Sequence, residues 1–198
     1  MLRDVVSWVA VGGILMAAAG LVLSRDWRWS LAFLALQYLA AFWLVGLHWP
    51  IGLASAKLVT GWMAAAILGM TRLGLAFKSP AAELFWPQRR WFHLFLVAAV
   101  ATLAAAATPR LETILPGLGT AVVGGSTLLM TMGLLHLGLT ADVLRVTLGL
   151  LTVLSGFEVV YSAVEGSILV AAMLAIVNLG LALTGSYLML AEPEGTEA

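Results

Sequence analysis

A carboxylic acid and an amine stand in the middle of apolar runs. Glu158 lies within Val146–Val164 and Lys57 within Ile51–Thr71, both runs long enough to cross a bilayer. Ionisable side chains in such runs are costly, and by default they mark ion paths or their counter-ions. Glu158, Tyr161, Ser162 and Glu165 fall at i, i+3, i+4 and i+7. That spacing makes one polar stripe on a helix. A carboxylate facing a helix bundle beside hydroxyls can relay protons, because desolvation favours its protonated form. The alternative is a structural Glu bonded to a neighbouring helix. Glu165, close to the helix end, reads as solvated.

Lys57 is a counter-charge to Glu158, a second relay station, or a snorkelling side chain. Its place about 9 Å inside the helix allows the last. Asn178 and Gln37, both mid-span, read as amides bonding across helices. His136, near one end of its helix, reads as a proton-passing group or an interfacial histidine. Glu158, Lys57, Tyr161, Asn178 and His136 therefore form the candidate ion-translocation set.

Catalytic residues are not expected. No serine has a nucleophile-elbow context. The three histidines are scattered without ligand spacing and cysteine is missing, so no metal site or cofactor is predicted. No basic tract or basic–aromatic interleaving supports nucleic-acid binding.

The elements that must position these residues follow from composition. Of 198 residues, 62% are hydrophobic and 10% charged. A soluble domain has about 25% charged residues. This predicts an all-α integral membrane protein in the lipid bilayer. Seven apolar runs are predicted to span it: Val5–Leu23, Ser30–Leu47, Ile51–Thr71, Trp91–Thr108, Gly119–Leu139, Val146–Val164 and Ser167–Leu190. The first resembles a signal peptide, but six more runs follow and a retained helix is expected. Breaks are read at Arg25–Arg28, at His48–Pro50, from Pro109 to Gly119 and at Glu165–Ser167. Proline is read as confined to loops and tails.

The cationic side chains divide by loop. Arg25, Arg28, Arg72, Lys78, Arg89, Arg90 and Arg145 fall on one side, and Arg3 and Arg110 on the other. The positive-inside rule then predicts the N-terminus outside and the C-terminus, with Glu192, Glu194 and Glu197, in the cytoplasm. The segment with Pro80, Phe85, Trp86 and Pro87 is read as interfacial or as a dock for a partner subunit. Gly61, Ala65 and Gly69 place a small-residue face on the third helix, shared with Lys57, so the lysine is expected to point toward protein. The alanines from Ala98 to Ala107 suggest a tightly packed fourth helix. Gly124, Gly125 and Gly133 suggest the same for the fifth.

The stretch from Gly156 to Val164, with Glu158 third and Ala163-Val164 last, resembles the signature of the small K subunit of bacterial respiratory complex I. In that family the second of three helices carries a membrane glutamate of a proton path. The resemblance makes the fifth to seventh helices the counterpart, and the turn Asp142–Arg145 the counterpart of an Arg-rich cytoplasmic turn. Ser55-Ala56-Lys57-Leu58-Val59 and the longer layout resemble the E component of formate-hydrogenlyase-type hydrogenases, which precede a K-like part with extra helices. Asn178 is the polar residue nearest the position of the K subunit's second glutamate.

The resemblance implies a four-helix part, 1–118, and a K-like three-helix part, 119–198. It implies an accessory subunit without a redox centre, in the cytoplasmic membrane of a bacterium or archaeon. Its partners would be other membrane subunits of a larger, ion-pumping respiratory assembly, antiporter-like ones among them. A purely structural scaffold in a respiratory or photosynthetic complex is the alternative. A stand-alone transporter would be expected to show internal repeats or broken helices, and none is legible.

Overall fold

The structure, a computed structural model, describes residues 2–76 and 88–191. They form seven α-helices: α1 (Leu2–Leu23), α2 (Trp27–Val45), α3 (Ile51–Ala76), α4 (Gln88–Ile114), α5 (Thr120–Gly138), α6 (Val143–Val164) and α7 (Ile168–Ala191). All seven are long and apolar enough to cross a membrane, and no strand occurs among the described residues. The chain is therefore a multi-pass membrane protein by helix length and composition. Pro80, Phe85, Trp86, Pro87 and the acidic tail lie outside the described residues.

Four helices, α1, α2, α4 and α6, start three residues earlier than predicted, and in α2 and α6 the cause is the same. Asp26 caps α2, its Oδ1 accepting from the Arg28 amide at 2.9 Å. Asp142 caps α6, its Oδ2 accepting from the Arg145 amide at 3.1 Å. An aspartate N-cap satisfies an amide that the helix leaves unpaired, so the polar turn becomes the first helical turn. The Asp142–Arg145 segment is thus mostly helix rather than a connecting turn.

Pro109 corrects the expectation that proline stays in loops. It lies inside α4, which runs on to Ile114. Spanning helices tolerate proline where neighbouring groups and local adjustment satisfy the freed carbonyl. The turn into α5 instead uses Gly117 and Gly119, whose φ of 94° and 83° suit glycine.

Six helices form a closed ring in the order α1, α2, α3, α7, α6, α5, and α2 also reaches α6 across the middle. α4 stands outside, against α5 and α1. This overturns the tightly packed reading of α4. Among its described side chains only Val97, Ala104 and Thr108 are buried, while Ala98, Ala99, Ala105 and Ala106 are exposed. Small side chains permit close approach, but a helix with one neighbouring face needs only one stripe of them.

On α5 the glycines do meet neighbours. A Cβ on Gly124 would lie 3.6 Å from Thr108 on α4. One on Gly133 would come within 2.8 Å of the Val153 backbone on α6. Gly156 on α6 is as close to Met130, at 2.9 Å. α5 and α6 are therefore in near backbone contact.

Two long-range bonds fix which helix ends share a level. Arg145 Nη2 donates to the Arg25 carbonyl at 3.1 Å, joining the starts of α2 and α6. Trp49 Nε1 donates to the Glu165 carbonyl at 2.9 Å, joining the α2–α3 connection to the α6–α7 turn.

Candidate functional site

Lys57 and Glu158 meet. Lys57 Nζ donates to Glu158 Oε2, and each side chain is 5% exposed. Asn178 Nδ2 donates to the other carboxylate oxygen, Oε1, and to the Leu174 carbonyl at 3.2 Å. Tyr38 donates its hydroxyl to Asn178 Oδ1 at 2.8 Å. The Lys57 ammonium also stands 5.2 Å from the centre of the Tyr38 ring, within cation–π range. Four helices thus supply one side chain each to a buried cluster.

The depths match because the helices alternate in direction. Lys57 is six residues from the start of α3, and Glu158 six from the end of α6. At 1.5 Å per residue, both are about 9 Å from the face shared by the α2–α3 connection and the α6–α7 turn. Tyr38, seven residues before Val45, lies near the same level.

Two glycines aim the cluster. A Cβ on Gly61 would collide with the Tyr38 ring, so only glycine lets that ring lie against α3. Lys57 is one turn before Gly61 and shares its face. On α6, Gly156 faces α5, and a residue two positions on points to nearly the opposite side. That turns Glu158 away from α5, toward α3 and α7.

The arrangement obeys the electrostatics of a dry interior. The charges neutralise each other, and each carboxylate oxygen has a donor. Removing one member would strand the other, at about 3–5 kcal/mol for a buried pair. α3 and α6 share little backbone contact, so the ion pair bridges a gap between them.

A cavity of about 200 Å³ lies over this pair. Lys57, Glu158 and Asn178 border it, with Thr60 beside them and apolar side chains of α3 and α7 as walls. Trp49 of the α2–α3 connection and Ile168, the first residue of α7, also line it. The arrangement holds a neutralised carboxylate under a recess large enough for several waters, at about 30 Å³ each.

Not every predicted residue joins the cluster. Tyr161 is half-buried and stacks on Phe157, with ring centres 6.1 Å apart. The predicted stripe therefore splits. Glu158 and Ser162 face inward, Tyr161 lies at the edge, and Glu165 is an exposed C-cap. The Ser162 hydroxyl donates to the Val159 carbonyl of its own helix at 2.8 Å.

His136 lies in the last turn of α5, at the end opposite Glu158. It is 3% exposed, its Nε2 has no protein partner, and its charged neighbours are Arg145 and Asp142. Gln37 bonds across to α6, where its Nε2 donates to Thr152 Oγ1 at 3.3 Å. The snorkelling reading of Lys57 is overturned, because a buried carboxylate meets the ammonium within the bundle.

Sequence reasoning missed Tyr38, Trp49 and Thr60. Tyr38 had a signal, since spanning helices concentrate tyrosine at their ends. A mid-span tyrosine needs a hydrogen-bond partner inside protein.

Among the described residues no group of three His, Cys, Asp or Glu could hold a metal ion. No protein-family model, curated protein or solved structure matches this chain.

Proposed function

We propose that this chain is an accessory membrane subunit of a multisubunit, complex I-like or hydrogenase-like assembly, and that Glu158 takes part in its proton or sodium translocation. The observation that carries the reading is the Lys57–Glu158 pair, buried yet bordering a cavity. A relay carboxylate must be held away from lipid, neutralised at rest and able to exchange its proton. Lys57 supplies the resting neutralisation. Asn178 and Tyr38 fix the carboxylate and the amide that holds it.

When Glu158 takes up a proton, its attraction for Lys57 falls and the ammonium gains freedom to turn toward the cavity. Loss of that proton restores the pair. The resemblance of the Gly156–Val164 stretch to the K subunit supports the same reading. It also makes neighbouring antiporter-like subunits the expected partners.

The test is Glu158→Gln in the assembled complex in sealed vesicles. Coupled ion translocation should fall while the complex still assembles. Unchanged translocation removes the relay role.

One observation favours a second reading. Both oxygens of Glu158 already have protein donors, as a purely structural carboxylate would. In that case Glu158→Gln lowers assembly or stability and leaves transport per assembled complex intact.

A further inference from the structure

Lys57 is undersupplied with acceptors. An ammonium has three N–H donors, and the structure gives it one hydrogen-bond acceptor, Glu158 Oε2. The Tyr38 ring offers a face but no lone pair. By contrast each oxygen of Glu158 has a donor, and both amide protons and the amide oxygen of Asn178 are used. Leaving charged donors unpaired in a dry interior is costly. The cavity that Lys57 borders is where acceptors can come from, and it has room for several waters.

The cavity is also one-sided. Its lining residues extend from Trp49 and Ile168, near one face, to Lys57, Glu158 and Asn178, with Ala56 and Ala172 exposed along the way. Beyond the pair, toward the arginine-bearing ends, Leu34, Leu68, Leu148 and Leu151 are all fully buried in one cluster. Of the buried polar side chains there, Gln37 and Thr152 bond each other, while the Ser155 and Ser186 hydroxyls have no protein partner.

We propose that this cavity is an aqueous vestibule that opens the Lys57–Glu158 pair to water-borne protons or small hydrated cations from the α2–α3/α6–α7 face only, with Trp49 as the gate at its mouth. The mechanistic use of this vestibule rests on the translocation reading above; its existence does not. A direct consequence is that this chain alone is no transmembrane conduit. An ion that reaches Glu158 from this face must leave through a neighbouring subunit or by the way it came.

The Trp49 indole donates to the Glu165 carbonyl and so ties the two connections that flank the mouth. The tie is one hydrogen bond at the membrane surface, weak enough to break and re-form.

The chain has no cysteine, so single thiols can be read without background. Ala56→Cys, Ala171→Cys and Ala175→Cys place thiols along the cavity. Gly52→Cys marks the adjacent surface, and Ala182→Cys marks the leucine-packed part. Each full-length variant, in its native membrane, is prepared as sealed vesicles of both orientations. It is then treated with a charged, membrane-impermeant thiosulfonate or with a lipid-soluble maleimide.

The three cavity thiols should react with the charged reagent from the Gly52 side at least about fiftyfold faster than from the other side, the discrimination expected when a charge must otherwise cross a dry span. Reaction from both sides overturns the one-sided vestibule. Reaction with the maleimide alone shows that the recess belongs to lipid and overturns it equally, as does no reaction at all. Trp49→Ala should speed labelling of Ala175→Cys severalfold, and an unchanged rate removes Trp49 as the gate. One-sided labelling together with unaltered transport in Glu158→Gln would keep the vestibule and discard the relay.

Discussion

The two halves of α6 do opposite things. Toward the arginine-bearing end it offers Leu144, Leu148 and Leu151 to a layer of buried leucines from α2 and α3. Toward the other end it offers Glu158 to Lys57, Asn178 and a cavity. One half is packed with leucine, and the other is polar, joined by hydrogen bonds between helices and backed by open volume. In a bilayer, lipid tails solvate leucine as well as protein does, so the leucine layer contributes mainly dispersion and shape. The polar half cannot face lipid at all, so it fixes the register of four helices. Specificity is concentrated at one end of the bundle and bulk at the other.

The sharpest way to break this contrast is Lys57→Met. It leaves a buried carboxylate without its cation and should cost about 3–5 kcal/mol. The double variant Lys57→Met/Glu158→Gln should recover most of the loss. Unfolding midpoints in mixed detergent micelles read both, and equal losses in single and double variants would contradict charge pairing. Leu151→Ala in the leucine-packed half should cost less, about 2 kcal/mol, because only packing is lost and not transfer from water. A loss as large as that of Lys57→Met would erase the distinction between the halves.

Tyr38→Phe keeps the ring against Gly61 and deletes one interhelical bond. It should cost about 0.6 kcal/mol, the typical value for such bonds in membranes. The same titration would show an unchanged midpoint if that bond contributes nothing. Ser186→Ala should have the smallest effect, within about 0.5 kcal/mol of zero. Its hydroxyl is buried without a protein partner, so nothing is broken by removing it. A clear destabilisation would reveal a bound water or ion at Ser186.

The helices were legible because twenty-odd apolar residues in a row have few other uses. Their ends were less so, since Asp26 and Asp142 act as caps only once the chain geometry is known. Glu158, Lys57 and Asn178 stood out by chemistry, each a polar group in an apolar run. That they meet was not legible. It depends on α3 lying next to α7 and across from α6, and ring order leaves no periodic trace in the residues. α4 shows the converse failure. Its alanines suggested close packing, yet composition says how near a neighbour can come and not whether one is there. Tyr161 failed for a third reason, because i+3 spacing leaves a 60° error that suffices to carry a side chain from the inside of a ring to its rim.

The partners of the central ion pair are 101 residues apart in the chain. At synthesis rates of about 5–20 residues per second, α3 enters the bilayer roughly 5–20 s before α6 exists. During that interval Lys57 has no carboxylate to meet. Its position about 9 Å from the helix end then matters, because a long stem can lift the ammonium to the headgroups until the later helix arrives. An equivalent lysine at mid-helix would be stranded. Assembly in chain order would thus park the cation at the interface until translation delivers its acid.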